Sequence, residues 1–362
     1  LSVIAAPVAQ AVAQANKVPA EVIARRLANK KAKQQTPSVA AKKAKAAGVQ
    51  LYGYVSMSDE RDPGLYKFSS NNAASISLVN SNVQCYNAAT YVQGTYLSSW
   101  YEETDTQVKF PIHFYEYDTS TWQMKIDKPS PELAYSAISM DLAFDPETQQ
   151  VYGLFSDDDY SGQYKTLGKL VTTYWGENDY TSNSVAIGEL PESMVAITCN
   201  KSGDLYTIGR SGKLYAVNKY SGTATVVGET GYKPFKLFQS ATCDYSTGKI
   251  YWAMLDKDYW ATRIIEIDPA TGKGTEVCNF IDNYANDQIT GLYIKQDLAL
   301  KTVPQTVSDL SVDLTSLTSG TVKFTMPSKD VKDAALSGSL NYTVRLNGEV
   351  AATGTASAGA AV

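Results

Sequence analysis

Aromatic side chains stand beside carboxylates in three short segments of the chain, and this pairing is the main chemical signal of the sequence. The residues are Trp100, Tyr101 and Asp105, then Asp157, Asp159, Tyr160 and Tyr164, and finally Asp256, Asp258, Tyr259 and Trp260. The apolar face of a sugar ring stacks on aromatic rings while its hydroxyl groups hydrogen-bond to carboxylates. The same residue types are enriched where proteins bind one another. These residues are therefore the candidate binding residues, either for a glycan or for a cell-surface protein.

Two other carboxylates, Asp141 and Asp287, lie on runs that the repeat described below places next to its axis. Hydrolysis of a glycosidic bond needs two carboxyl groups roughly 5 to 9.5 Å apart. The equivalent positions in other copies, such as Ala196 and Ser240, are neutral, so the axis is poorly equipped for this reaction. We favour a non-enzymatic binding or adhesion protein with no catalytic residue. A glycoside hydrolase or related polysaccharide-acting enzyme, and a structural spacer, stay as alternatives.

The sequence offers few ligands for a metal ion or a cofactor. Its one histidine, His113, lies in a predicted strand and has no second histidine to join it. Residues 157–162 read DDDYSG, which is how an oxygen-rich calcium loop begins, but Gly168 stands where that loop needs its closing carboxylate. No glycine-rich phosphate loop or dinucleotide fingerprint occurs. We predict neither a metal nor a cofactor.

The four cysteines lie far apart and form no Cys-x-x-Cys pair, so neither a zinc site nor a redox motif is indicated. They are Cys85, Cys199, Cys243 and Cys278. Cys199 and Cys243 occupy the same position in two copies of the repeat, where a small buried residue fits. This favours free buried thiols, and the sequence leaves their disulfide state open.

The composition is that of a globular chain rich in tyrosine. Hydrophobic residues make up 44% and charged residues 19% of the 362 residues, and 25 of them are tyrosines, which favour β-strands. No apolar run approaches the roughly 20 residues of a transmembrane helix, so we expect no transmembrane segment. The length exceeds what one core usually organises, which predicts two modules or one large repeat assembly.

Residues 1–47 form a basic Ala/Lys-rich arm, with nine lysines or arginines against the single acid Glu21 and a net charge of +8. Because the whole chain carries −5, the remainder carries −13, which argues against nucleic acid as a partner. Residues 13–15 read AQA, the small-x-small form of a signal peptidase site, although an Ala-rich helix explains them equally well. Helix formers at 19–33 and 38–47 predict marginal helices. We expect the arm to be a solvated basic tether.

One unit of four β-like runs, which we label a to d, recurs within residues 48–300. Its clearest copies span 194–228 and 239–278, with Asn, Asp and Gly in the turns between runs. A tyrosine in run b recurs every 44 to 56 residues, which is the period of a propeller blade. These tyrosines are Tyr52, Tyr96, Tyr152, Tyr206 and Tyr251.

The two ends of this region complete each other. Residues 50–79 supply runs b, c and d without a run a, whereas residues 289–294 supply a final run a with nothing after it. Pairing them makes one blade from both ends, which removes free sheet edges and closes the ring. The sequence therefore predicts an all-β fold with a five-bladed β-propeller. A six-bladed ring and a β-sandwich of unrelated hairpins are the alternatives.

In such a ring the b-to-c loops and the d-to-a links emerge on one face, here called the loop face. The a-to-b and c-to-d turns emerge on the opposite turn face. The turns are short and stereotyped, which indicates a structural role only. Four of the five b-to-c loops are acidic or aromatic, at residues 56–64, 100–107, 156–164 and 255–260. We therefore expect the ligand on the loop face.

Residues 301–362 have alternating runs at 307–314, 321–326 and 340–346, which predict half-buried strands. The pattern resembles a fibronectin type III module, with Phe324 where the second strand usually carries Trp. Such modules need about 100 residues and seven strands, so we expect an incomplete module.

Together with the phrases LYGYV, ITGLYI and FTMPSKDV, this arrangement resembles exported surface proteins of gut bacteria in which a β-propeller precedes fibronectin type III-like modules. The resemblance implies a secreted or cell-surface location and a role in binding or adhesion. It names no functional residue, and the sequence leaves the oligomeric state open.

Overall fold

A computed structural model describes most of the chain. The described residues are 18–35, 48–85, 88–101, 112–129, 139–155, 166–170, 184–235, 238–281, 285–298, 302–316, 319–330 and 333–362. They contain one helix, α1 (Ala20–Gln35), and twenty-four strands. Within these ranges, no helix has the length and apolar character that crossing a membrane requires.

Five antiparallel sheets of four strands make up the body of the molecule. The first blade contains β1 (Gln50–Met57), β2 (Gly64–Ser69) and β3 (Asn72–Asn80), and the second contains β4 (Ala89–Val92), β5 (Thr95–Tyr101), β6 (Ile112–Asp118) and β7 (Met124–Pro129). The third blade contains β8 (Ser139–Asp145), β9 (Gln150–Phe155), β10 (Thr166–Leu170) and β11 (Ser184–Glu189). The fourth contains β12 (Met194–Cys199), β13 (Leu205–Gly209), β14 (Lys213–Val217) and β15 (Ala224–Glu229). The fifth blade contains β16 (Ser240–Cys243), β17 (Ile250–Leu255), β18 (Thr262–Ile267) and β19 (Gly274–Asn279), and β20 (Gln288–Tyr293) follows it.

The first blade is completed by β20, which pairs antiparallel with β1. Tyr52 lies opposite Tyr293, and Val55 lies opposite Ile289. The innermost strands contact one another in the cyclic order β20, β4, β8, β12, β16 and back to β20. The predicted closure by the two ends of the repeat region is confirmed, and the ring has five blades rather than six.

The inner strands form because their side chains are buried on both faces of the sheet. Every residue of β8, β12, β16 and β20 is buried, which explains why these strands are short apolar runs without strict alternation. The predicted tyrosines of run b lie in β1, β5, β9, β13 and β17. The repeat therefore determines the order of the strands in each blade and the positions of the side chains that pack between neighbouring blades.

The turn face is built from turns in which an Asn or Asp side chain caps its own loop. Asn200 Oδ1 accepts from the backbone N of Ser202 at 2.9 Å, and Asp244 Oδ1 accepts from that of Ser246 at 2.9 Å. Asn and Asp were predicted in these turns because a short polar side chain can accept hydrogen bonds from the exposed backbone amides of a tight turn.

Glycines close two junctions between neighbouring blades near the turn face. A Cβ on Gly222 would lie 2.8 Å from the Cα of Gly188, and a Cβ on Gly272 would lie 2.7 Å from the Cα of Gly228. Gly188 and Gly228 are in outer strands, whereas Gly222 and Gly272 are in the c-to-d turns of the next blade. Backbone meets backbone there, so no space remains between the blades.

Beyond the ring, residues 302–362 form two small sheets, β21 (Ser311–Leu314) with β22 (Gly320–Lys323), and β23 (Ser339–Leu346) with β24 (Glu349–Ser357). Phe324 and Tyr342 meet edge to face at 5.3 Å. The guanidinium of Arg345 lies 4.1 Å above the ring of Tyr220 in the fourth blade. The fibronectin type III-like character of this segment stays a prediction.

Candidate functional site

The predicted binding residues fall into three groups. Trp100 and Tyr101 end β5, where their backbones pair with His113 and Ile112 of β6. Five candidates lie outside the described residues: Asp105, Asp157, Asp159, Tyr160 and Tyr164. The remaining four, Asp256, Asp258, Tyr259 and Trp260, follow β17 in the b-to-c loop of the fifth blade.

Asp256 holds its own loop together. Its Oδ1 accepts hydrogen bonds from the backbone N atoms of Asp258 at 2.8 Å and Tyr259 at 3.0 Å. Its Oδ2 accepts from Arg263 Nε at 2.8 Å, and Arg263 Nη1 donates to Glu276 at 2.7 Å. Asp256 therefore fixes the loop.

Trp260 anchors the same loop from inside. Its side chain is only 8% exposed, and its ring lies 5.1 Å from that of Phe235. Its backbone N donates to the carbonyl of Asp256 at 2.8 Å. Since its faces are covered, Trp260 offers little surface on which a sugar could stack. The loop presents instead its backbone carbonyls and the carboxylate of Asp258.

The b-to-c loop of the first blade lies beside this loop and is equally constrained. Ser58 Oγ accepts from the backbone N atoms of Glu60 and Arg61, both at 3.1 Å. Arg61 Nη1 donates to both carboxylate oxygens of Asp287, at 3.1 and 2.8 Å. Asp287 is fully buried, and burial raises its pKa although Arg61 opposes that shift. The buried carboxylate of Asp287 therefore forms an ion pair with Arg61 next to the loop.

The structure places Asp59 at the centre of a site that also uses the fifth blade. Asp59 Oδ2 accepts from Asn286 Nδ2 at 2.7 Å, and its Oδ1 accepts from Arg26 Nη1 of α1 at 2.7 Å. Arg26 also donates from Nε to the carbonyl of Tyr259 at 2.7 Å and from Nη2 to that of Trp260 at 3.0 Å. The three acceptors come from two loops, and together they match the planar fork of donors that a guanidinium presents.

Arg26 is buried in this site, with 7% of its side chain exposed. Burial lowers its pKa, and the charge and hydrogen bond of Asp59 oppose that shift. Arginine keeps its proton because its ordinary pKa is above 12. The site therefore holds a charged guanidinium, paired with one carboxylate and two carbonyls.

A second arginine and an apolar residue complete the docking of α1. Arg25 Nη1 donates to the backbone carbonyl of Asp258 at 2.7 Å and to its Oδ1 at 3.2 Å. Val22, one turn earlier, is 4% exposed. The predicted helix therefore forms, but it is not a solvated tether, because charged and apolar side chains hold it on the loop face.

The axial carboxylate Asp141 belongs to the ring itself. Its Oδ2 accepts from the backbone N atoms of Ile197 and Ala241, both at 3.0 Å, and its Oδ1 accepts from Ser240 Oγ at 2.8 Å. Burial raises its pKa well above the ordinary value, although these hydrogen bonds oppose the shift. Asp141 ties the inner strands of three blades together.

The turn end of the axis holds little room for a ligand. A cavity of about 30 Å³ lies there among Tyr91, Cys199, Cys243 and Tyr245, which suits a single water. The four cysteines are free thiols, and burial raises the pKa of Cys243 to about 12. In the part of the chain that the structure describes, no group of three His, Cys, Asp or Glu residues is placed to hold a metal ion.

Fold and site together define a five-bladed β-propeller with a basic helix on its loop face. No protein-family model matches the chain, and no curated protein matches it. Similar solved structures include apo AztD from Citrobacter koseri, with 13% identity, 67% of this chain and 59% of that chain covered, and a TM-score of 0.31. TolB from Acinetobacter baumannii has 10% identity, 67% and 53% coverage, and a TM-score of 0.38.

Glutaminyl cyclase from Myxococcus xanthus is similar at 14% identity, with 66% of this chain and 84% of that chain covered and a TM-score of 0.35. The match to this chain spans 59% of AztD and 53% of TolB, which is less than two-thirds of either. At such identities and TM-scores, these similarities carry no argument about ligand or activity.

Sequence reasoning missed the arginine site. Arg25, Arg26 and Asp59 were not among its candidates, although the signal was present in the opposite charges of the arm and the remaining chain. Charge alone could not pair particular residues, because the site joins positions more than 200 residues apart along the chain.

Proposed function

We propose that this protein is a non-enzymatic binding propeller whose loop face takes an arginine-bearing helical segment of a protein. Its own helix α1 occupies that face in the isolated chain. The sequence left two ligands open, a glycan or a cell-surface protein. Of these two, the proposal selects the protein. Its location at the cell surface rests on the sequence alone.

The observation that carries the proposal is the coordination of Arg26. A guanidinium with 7% of its side chain exposed meets one carboxylate and two carbonyls at 2.7 to 3.0 Å. Charged hydrogen bonds contribute about 1.5 to 3 kcal/mol each when they are well formed. Planar, multidentate recognition of this kind distinguishes arginine from lysine. The loop face therefore has a site with the geometry of a specific receptor.

The acceptors are held in place before an arginine arrives. Asp256 caps the loop that supplies the carbonyls of Tyr259 and Trp260, and Trp260 is packed against Phe235. Asn286 holds the second oxygen of Asp59. A preorganised site loses little conformational entropy on binding, which increases affinity.

The described aromatic residues of this face support a protein ligand better than a glycan. Trp260 is buried, and Tyr259 is half-buried with its carbonyl bound to Arg26. A glycan-binding platform needs at least one open aromatic face. The carboxylates of Asp59 and Asp258 meet guanidinium groups, which glycans do not carry.

The test uses the full chain with Arg25→Ala and Arg26→Ala, so that α1 no longer fills the site. A fluorescent peptide of residues 18–35 is added, and its anisotropy is followed. We expect the peptide to bind this variant at least tenfold more tightly than the unaltered protein, since the unaltered site is already occupied. A peptide carrying Arg26→Ala should bind at least tenfold more weakly than the native peptide.

Two substitutions in the receptor distinguish the site from general charge attraction. Asp59→Asn should weaken the peptide at least tenfold, because the buried guanidinium then lacks its counter-charge. Glu60→Gln is the matched control, since it removes the same charge from the neighbouring position and should change binding less than threefold. Equal losses from both substitutions, or a glycan array that gives a ligand while the peptide does not bind, would reject the proposal.

A further inference from the structure

The c-to-d turn of the second blade departs from the repeat at one residue. In the fourth and fifth blades, the fourth residue after the capping Asn218 or Asp268 is a glycine, Gly222 or Gly272, with positive φ. In the second blade the fourth residue after Asp118 is Trp122, which has φ 58°. Its backbone N donates to the carbonyl of Asp118 at 2.6 Å, as the two glycines do to theirs. A bulky residue in this left-handed conformation is uncommon.

The strand that faces this turn has also lost its glycine. Gly228 pairs with Leu214 in the fourth blade, and Asn80 pairs with Leu65 at the corresponding place in the first blade. The contact of glycine with glycine that closes the junctions of the fourth blade with the third and the fifth is therefore missing between the first and second blades. A cleft of about 270 Å³ lies there.

One wall of the cleft is a row of side chains across the first blade. Tyr293 in β20 pairs with Tyr52 in β1, and Tyr52 pairs with Lys67 in β2, so all three project from the same face of the sheet. Tyr52 and Tyr293 stack at 4.9 Å. Trp122 and Thr119 of the second blade form the facing wall. The cleft therefore combines aromatic walls with an amine.

The hydroxyl of Tyr293 has no hydrogen-bond partner among the described residues, although Tyr293 is only 2% exposed. Buried hydroxyl groups are normally satisfied, and an unsatisfied one costs about 1 to 3 kcal/mol. The hydroxyl has almost no accessible surface, so the ring of Tyr293, and not its hydroxyl, is the part that a molecule in the cleft meets.

The charge of the cleft is positive. Lys67 and Lys295 both line it, both are exposed, and neither forms an ion pair with a described residue. No carboxylate is among the described residues that line it. Two ammonium groups without an ion pair among the described residues, beside apolar rings, favour a ligand that joins a negative charge to a ring with an apolar face.

We propose that this cleft binds one acidic sugar unit, with its carboxylate at Lys67 and Lys295 and its ring against Trp122. Its volume is below the roughly 300 to 1,000 Å³ of sites for drug-sized ligands, so a single ring fits better than an oligomer. This site lies on the turn face and is independent of the arginine site on the loop face.

The test titrates the full chain with sodium glucuronate and follows binding by saturation-transfer NMR. We expect a dissociation constant on the order of millimolar, as is usual for one small ring. Glucose, which lacks the carboxylate, should bind at least tenfold more weakly. Failure of glucuronate to bind, or equal binding of glucose, would overturn the assignment.

Three variants locate the site. Trp122→Gly restores the residue found at this place in two other blades, so the protein should fold while glucuronate binding falls at least tenfold. Lys67→Ala combined with Lys295→Ala should have the same effect, whereas Lys273→Ala, an exposed lysine of the fifth blade's turn, should leave binding within twofold. Tyr293→Phe removes only the buried hydroxyl and keeps the ring that lines the cleft, so it should leave glucuronate binding within twofold. Unchanged binding in Trp122→Gly or in the double lysine variant would show that glucuronate binds elsewhere.

Discussion

Trp122 on the turn face and Trp260 on the loop face have the same local structure and opposite surroundings. Each is the fourth residue after an aspartate whose Oδ1 caps the turn, Asp118 or Asp256. Each has positive φ, 58° for Trp122 and 51° for Trp260, and each donates its backbone N to the carbonyl of that aspartate. The sequences DTSTW and DKDYW thus encode one kind of turn.

The difference lies in what the rest of the ring provides. Trp260 is packed on Phe235 and leaves backbone carbonyls for Arg26. Trp122 is half-buried, touches Tyr96 edge to face at 6.3 Å and borders a cleft. The described part of the loop face therefore presents main-chain and carboxylate oxygens, whereas the turn face presents an aromatic and cationic surface. Local motif and composition predicted aromatic binding residues on the loop face; of these, Trp260 is packed inside, whereas Asp105, Asp157, Asp159, Tyr160 and Tyr164 lie outside the described residues and stay a prediction.

The largest expected effect comes from Trp260→Ala. Loss of a buried tryptophan should lower the free energy of unfolding by about 3 to 5 kcal/mol, because transfer free energy is lost and a cavity remains. Urea unfolding of the variant measures this. A loss below about 1 kcal/mol would mean that Trp260 is as exposed as its counterpart Trp122 and would remove the contrast between the two faces.

Arg26→Ala should release α1 without weakening the ring. Three charged hydrogen bonds are lost, one to Asp59 and two to carbonyls. We expect this to remove about 2 to 3 kcal/mol of docking free energy, less than three separate buried bonds would give, because Asp59 is 44% exposed and the freed acceptors bind water. Hydrogen exchange of residues 20–35 should then increase at least tenfold, while that of β12 and β16 stays unchanged. Arg26→Lys keeps the charge but not the fork of donors and should restore the protection only in part. Full protection in Arg26→Ala would mean that α1 is held by other contacts.

Asp141→Asn tests the axis that both faces share. Since burial raises the folded-state pKa of Asp141 above its unfolded value, its contribution to stability is fully present below the ordinary pKa near 3.8 and is lost as pH rises through the folded-state pKa. The unaltered protein should therefore lose stability relative to Asp141→Asn as pH rises from about 4, by up to about 1.4 kcal/mol per pH unit within that window. Parallel stability curves for the two proteins would show that this pKa is not raised. The variant should leave peptide and glucuronate binding within twofold at neutral pH.

The smallest stability effect is expected for Trp122→Gly. Relief of the left-handed backbone contributes about 1 to 2 kcal/mol, and loss of the edge contact with Tyr96 costs about 0.5 to 1.5 kcal/mol. The free energy of unfolding should change by less than about 1 kcal/mol, measured by the same urea titration as Trp260→Ala. A loss above about 3 kcal/mol would make Trp122 a core residue and would equate the two tryptophans.

Much of the ring could be predicted from the sequence, because each blade repeats its own turn and strand chemistry. The spacing of the five tyrosines of run b predicted the period, and the run a missing from residues 50–79 predicted its replacement at 289–294. The site was predicted less well. Of the four candidates in the b-to-c loop of the fifth blade, Asp256 holds the loop, Asp258 and Tyr259 contact the helix, and Trp260 does both.

Local chemistry thus determined the turns, the strand pattern, the five blades and their closure, since each depends on residues close in sequence or on a periodic pattern. Only the tertiary structure decided that Arg26 meets Asp59 and the carbonyl of Trp260, and that the cleft at Trp122 stays open. Both depend on which residues of different blades approach within a few ångströms. Periodicity does not encode that distance, because it is set by side-chain volumes at the junctions between blades.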